Sequence, residues 1–450
     1  MRKAVWFTTL AMLVGMIGLV ATPASAATIT VDDDEVECPA PDHNTIGAAI
    51  AAATAGDTIN VCPGTYAENV VLNKSLTLNG AQTGVDARGR VASESVIAPA
   101  AGIGIDLRDP TGGTVVDGFT VSGGAQGIRS TSGILNDLLI ANNRIVGFTG
   151  SGLFLDNSGP DATLNQNLVD GASKTGGGGL VHLDQDNFDG LHFTSNEVQG
   201  YGIGTGFFVD GNHNVGPSAA RTPLFDGNLL DGAGTGTNLG RFAFELGDIT
   251  NNTFSNNASD GLQGGIQNSL IDGNVFEDNG RSGLALTGFG GAVDPTRGAQ
   301  NTDITNNEFT GNGFTNPGEA LFFTSGQFPG TISTNEAHDN NIEGNADGAR
   351  YSGGETINVE CNWWGSFTGP SGDGPGTGDT VQGAGLDFEP WLIASAPGGD
   401  CAGPLPLPTS KDDCKKDGWM DYTDDQNRPF ANQGDCVSYV ASGGSNKASG

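Results

Sequence analysis

The sequence is short of positive charge. Its 450 residues hold 19 Lys and Arg against 52 Asp and Glu, a formal net charge of −33. That deficit excludes nucleic acid as a partner, because phosphates need clustered cations. It also repels a polyanionic glycan unless a cation bridges the two. Its six Cys include no close pair, which argues against a zinc site. Beyond residue 26 no run is long and apolar enough to span a membrane. Good helix formers are sparse, and Leu is not dense enough for leucine-rich repeats.

What is abundant is Gly (74 residues), Asn, and short runs of Ile, Val, Phe and Thr, a mixture that favours strands and turns. One template recurs: an apolar residue, two polar residues, Asn, any residue, then a second apolar residue. Its Asn falls at Asn143, Asn167, Asn196, Asn228, Asn252, Asn274, Asn307, Asn335 and Asn362, at intervals of 22 to 33 residues. Such a period marks a solenoid, in which no single repeat can bury its own core. The second apolar position holds Ile145, Val169, Val198, Leu230, Phe254, Phe276, Phe309, Ala337 and Trp364, of which only Ala337 is weak. Short strands and turns make this an all-β parallel β-helix. Asn suits its turns because it tolerates the left-handed backbone conformation, and stacked amides form side-chain ladders.

The two ends differ from the coils. Residues 1–26 read as a secretory signal: Arg2 and Lys3, an apolar stretch, then Ala24, Ser25 and Ala26 as a cleavage site. The mature protein is therefore expected outside the cell, as a monomer. Six Cys fit an oxidising compartment. Pairing each with the partner at the same end gives Cys38 with Cys62, Cys361 with Cys401, and Cys414 with Cys436, although spacing alone does not fix connectivity. Ile46 and Ile50 among alanines predict a short helix within 44–55 that caps the solenoid.

From residue 56 the chain reads GDTINVCPGTYAENVV and then KSLTLNG. This resembles the pectin-lyase-like right-handed β-helix proteins, whose caps carry a short Ala-rich helix, a GDTI…PGTY segment and a K-S-L-T-L-x-G strand. The resemblance covers about 29–392 and implies a right-handed parallel β-helix with an N-terminal capping helix. It is poor in activity, because that superfamily includes lyases, hydrolases, esterases and non-enzymes. The CNWWG segment at 361–365 is similar to closing segments of secreted bacterial β-helices, which makes Trp363, Trp364 and Trp391 core and end-cap residues. The chain then divides into the signal (1–26), cap and first coils (27–114), β-helix with closing segment (115–395), a Pro/Gly-rich linker (396–410), a small Cys-containing module (411–440) and a disordered tail (441–450). The module is similar to C-terminal modules of secreted actinobacterial proteins. Its size implies a disulfide staple.

Catalytic signatures are incomplete. Gly64, Tyr66 and Glu68 match a GxYxE segment of pectin methylesterases, but Asp186 and Asp210 are out of phase for that family's paired acids. The polygalacturonase segments are missing. Arg221 and Pro223 begin the RxPxxR of one pectate-lyase family, but Asp226 stands where its second Arg belongs. Four Met and five His argue against copper handling.

A second strand follows most Asn turns, at 152–156, 180–184, 206–210, 241–245, 283–287 and 320–324. Alternation along each strand leaves two outward columns. One holds Phe154, His182, Phe208, Ala243, Ala285 and Phe322, with Arg129 at its head. The other holds Asp156, Asp184, Asp210, Glu245, Thr287 and Thr324. Arg241 is also outward. Acids about 4.8 Å apart repel by about 1 kcal/mol per pair even in water, so Ca²⁺, an Arg or raised pKa values should offset them. A solvated acidic face is the plain alternative. If it is a site, Phe154, Asp156, His182, Asp184, Phe208, Asp210 and Glu245 would bind an extracellular polysaccharide, with Asp156, Asp184 and Asp210 as ligands for Ca²⁺. A lyase or glycoside hydrolase would draw its catalytic groups from Asp184, Asp210, Arg129, Arg241 and His182. A purely structural solenoid is the third reading.

Overall fold

The computed structural model describes residues 26–108, 112–130, 136–156, 161–184, 190–210, 222–239, 244–287, 298–315, 317–324, 332–351, 353–426 and 428–449. For Asp184, Asp210 and Phe244 the description covers the backbone alone. The signal lies outside the described residues apart from Ala26.

Among the described residues, strands of two to six residues wind into a right-handed parallel β-helix with sheets of 14, 13 and 11 strands. We call them the first, second and third sheet. A coil passes from the first sheet (for example Leu270–Asp272) through the Asn turn to the third (Val275–Glu277) and then to the second (Leu284–Thr287). Pairing begins at Thr28–Val31 and continues across residue 115 without a break. Inward positions stack like on like. Ile140, Leu164, Phe193, Phe225, Ile249, Ile271, Ile304 and Ala337 form one column in the first sheet. Phe254, Phe276 and Phe309 stack in the third, with ring centroids 5.0 and 4.7 Å apart.

The Asn ladder is real, with one member exchanged. Each Oδ1 accepts the backbone N–H and the side-chain N–H of the Asn one coil earlier, as Asn252 does from Asn228 at 2.9 and 2.8 Å. Each Nδ2 donates to a carbonyl of the earlier coil, here Phe225 at 2.8 Å. The member between Asn307 and Asn362 is Asn340, not Asn335. Asn335 lies in a neighbouring column, where its Oδ1 accepts from Thr302 N–H and its Nδ2 donates to Ala299. Both asparagines satisfy the template; with Asn340 the second apolar residue becomes Ile342, which is fully buried, and Ala337 takes the first position. The left-handed residue is also not the ladder Asn but the one before it, including Asn142, Gln166, Ser195, Asn251, Asn306 and Asp339. That conformation turns the chain so that the next amide points inward.

A second ladder went unread. Asn257, Asn279, Asn312 and Asn345 repeat the same bonding five residues after members of the first. It ends on Asp379, which accepts from Asn345 N–H and Nδ2–H, both at 2.9 Å.

The N-terminal end is closed by the helix Ile46–Ala52, with Ile46, Ala49 and Ile50 buried on the core. Thr45 caps it, and the Glu68 carboxylate accepts from Ile46 N–H and Gly47 N–H at 2.8 and 2.9 Å. The Glu of the GTYAE segment thus serves the cap. At the other end Trp364 and Trp391 are fully buried. The three disulfides are Cys38–Cys62, Cys361–Cys401 and Cys414–Cys436. The last staples a separate small core with Phe430, Tyr439 and Ala448. Described residues beyond 441 are ordered onto it rather than loose: Ala448 N–H donates to Asp424 and Ser449 N–H to Asp435, both carboxylates held below the usual range despite burial by these and other hydrogen bonds.

Candidate functional site

The outward face of the second sheet gathers the side chains with the most chemistry. Strand pairing puts Asp106, Arg129, Phe154, His182, Phe208, Asn238, Gln263, Ala285, Phe322, Arg350 and Gln382 in one register column. Its first half is a continuous strip. The Arg129 guanidinium lies 5.4 Å from the Phe154 ring centroid. Phe154 and His182 meet edge to face at 4.8 Å, and His182 and Phe208 at 5.0 Å. Edge-to-face rings and a cation over a ring are favourable geometries. All four side chains are partly exposed. They are held outward because Leu153, Leu155, Val181, Leu183, Phe207 and Val209 on the same strands fill the core.

Two residues further along, Asp156, Asp184 and Asp210 are Cα partners in register. The acidic column therefore exists over three adjacent strands, beside the ring strip. Asp156 is half-buried.

Glu245 is not part of it. The next strand of the second sheet is Thr235–Asn238, where Thr237 points inward and Asn238 pairs with Phe208. Phe244–Glu245 instead pairs with Ile266–Gln267 in a separate two-stranded sheet, and Glu245 accepts from Asn268 Nδ2 at 3.3 Å. The GAGTGTN stretch lacks the apolar alternation that marks the other strands. Gly234 and Gly236 are there for space: a Cβ on Gly236 would stand 2.4 Å from the Gly261 carbonyl and 2.8 Å from Asn257 Nδ2. The outward places expected for Arg241 and Ala243 lie outside the described residues, as does Asp186.

A second cluster further along the same face was not anticipated. Asp260 and Glu319 stand just before the strands Leu262–Gly264 and Leu321–Thr324. Asp260 bonds Arg281 at 3.2 Å and Ser282 N–H at 3.1 Å; Glu319 bonds Arg350 at 3.1 Å. Both guanidinium groups lie near the Phe322 ring, at 5.7 and 5.3 Å. Burial pushes both carboxyls up, and the Arg partners pull them back only in part. Their side chains are 1% and 5% exposed, which fits ion pairs anchoring Arg281 and Arg350 at Phe322 better than groups that meet a substrate. The shared signal is an acid two residues before each strand's first Leu, in DGL and EAL.

Residues 178–363 match the family model described as right handed beta helix region. Among solved structures, the chain is similar to the A-module of a mannuronan C-5 epimerase from Azotobacter vinelandii, at 16% identity, covering 70% of this chain and 92% of that one with a TM-score of 0.44. It is similar to the Dettilon tailspike protein at 12% identity, over 75% of this chain and 61% of that one, TM-score 0.44. A family 28 exopolygalacturonase from Yersinia enterocolitica shows 12% identity over 81% and 77%, TM-score 0.40. No curated protein sequence matches. The sheet pairing and the matched region make the chain a right-handed parallel β-helix.

Proposed function

We propose that the protein is a secreted carbohydrate-binding solenoid that lays a glycan chain along the outward face of its second sheet. The observation that carries this reading is the register: Phe154, His182 and Phe208 on three adjacent strands, with Asp156, Asp184 and Asp210 beside them. Sugar rings stack on aromatic faces, and their hydroxyls donate to carboxylates. Strands about 4.8 Å apart repeat this pair at a pitch close to the length of one pyranose unit. Arg129 closes one end of the strip and Asn238 and Gln263 extend the other with amides, which suit hydroxyls equally well. The net charge of −33 selects neutral glycans over acidic ones.

The test is binding of the full chain to neutral and acidic polysaccharides by affinity electrophoresis and calorimetry. Phe154→Ala and Phe208→Ala should each weaken binding of a neutral glycan by about tenfold, the equivalent of roughly 1.4 kcal/mol. Retention of full affinity by the double variant would remove the strip from the binding site. Release of new reducing or unsaturated ends during the same incubations would show catalysis in place of simple binding.

A further inference from the structure

The geometry points to a divalent-cation site, with calcium as its ion, in the loop that follows the first strand at the N-terminal end. It is formed by Asp32, Asp34 and Glu37, each with an oxygen within 4.8 Å of the others. Acidic residues crowd many surfaces of this chain, but here one of them is buried. Asp32 is 0% exposed. Its Oδ2 accepts from Cys38 N–H at 2.7 Å, and its Oδ1 has no hydrogen-bond partner among the described residues. A buried carboxylate oxygen left unpaired is costly, and two further carboxylates beside it add to that cost. Among the described residues no Lys or Arg pairs with any of the three. A cation is the missing partner.

Within the loop Asp34 accepts from Val36 N–H at 3.0 Å, so what separates the three from a merely acidic run is the buried, unpaired Oδ1 of Asp32. Two neighbouring acids are turned to other elements. Asp33 accepts from Thr65 N–H at 3.1 Å, and Glu35 from Asn44 Nδ2 at 3.4 Å. The dimensions favour calcium. Its oxygens sit at about 2.3–2.6 Å from the ion and so up to about 5 Å apart across it, whereas magnesium requires a tighter octahedron at about 2.0–2.1 Å. Asp34 and Glu37 are exposed, leaving room for waters to complete the shell. The ion would tie this loop down beside the Cys38–Cys62 disulfide, against the capping helix.

Calorimetry with CaCl₂, and separately MgCl₂, on chelator-treated full chain with its disulfides intact tests the site. One calcium ion per chain is expected, with a dissociation constant on the order of 10⁻⁴–10⁻³ M, as in extracellular modules. Asp32→Asn removes the buried ligand, but that variant also disturbs the cap. The exposed pair Asp34→Asn/Glu37→Gln therefore carries the test: calcium affinity should fall roughly tenfold or more, while the calcium-free melting temperature stays that of the wild type. Asp156→Asn/Asp184→Asn/Asp210→Asn should bind calcium as before. No calcium binding, unchanged affinity in the exposed pair, or loss of binding in the sheet-face triple variant would each overturn the assignment.

Discussion

An asparagine amide offers two donor hydrogens and two acceptor lone pairs, and the ladder amides use all four. Asn252 accepts twice from Asn228 and donates to Phe225 and to Asn274. Asn252→Ala would leave buried donors and acceptors on two neighbouring coils without partners. We expect a loss of about 3 kcal/mol or more in urea unfolding; a loss within experimental error would mean that water replaces the amide. The ladder was legible because identical bonding demands an identical residue. The template admits Asn335 in place of Asn340 because six residues cannot tell two adjacent turns apart when both carry an Asn after a left-handed residue. At the surface, His338 sits 3.1 Å from Asp303 and 2.9 Å from Asp339. Burial works to lower its pKa, but these carboxylates outweigh it and hold it above 6.5. A histidine raised on folding adds stability below its unfolded pKa and loses that contribution as pH rises through the folded one. An NMR titration should place its midpoint above 6.5 and return it toward that value in Asp303→Asn/Asp339→Asn.

Strands were legible where apolar and polar residues alternate. That rule put Asp156, Asp184 and Asp210 in one column and Phe154, His182 and Phe208 in the next, and the pairing agrees. It failed at 235–238, where Gly and Thr form the strand, and moved the more apolar 241–245 into its place. Alternation passes over the cluster of Asp260 and Glu319 for a related reason: its acids precede their strands. Glu319 carries a pH prediction. Burial raises its carboxyl, against the pull of Arg350. A raised carboxyl favours folding at low pH and loses that advantage as pH climbs through the folded pKa. Between pH 4 and 7 the wild type should therefore lose more stability than Glu319→Gln, as read from urea midpoints. Parallel pH curves would show that Glu319 ionises freely in the folded protein.

At the scale of the whole molecule the described residues form two cores that share no residue, one running through the solenoid and one around Cys414 and Cys436. The smaller has too few apolar side chains to hold itself without its bridge. Cys414→Ser/Cys436→Ser should cost that module about 3 kcal/mol. Its transition should move or vanish in calorimetry while that of the β-helix stays in place. A joint shift of both would show that the two cores unfold as one. The bridge between Cys414 and Cys436 agrees with the pairing of cysteines at the same end of the chain. The packing of 442–449 was not legible, because it rests on backbone N–H groups finding Asp424 and Asp435, which leaves no trace in side-chain pattern.

The first ladder also makes the coils interchangeable parts. Asn252 and Asn274 stand 22 residues apart and bond in the same way. Cutting out residues 253–274 would join Asn252 to Val275, the neighbour that Asn274 already has, and every later coil would step back by one without changing its turns. The chain can thus gain or lose length in whole coils, like a rule cut at its graduations. Circular dichroism should show the shortened protein still folded, and its second-sheet face should be shorter by one strand. The number of coils, more than any single residue, then sets how long a face this molecule presents.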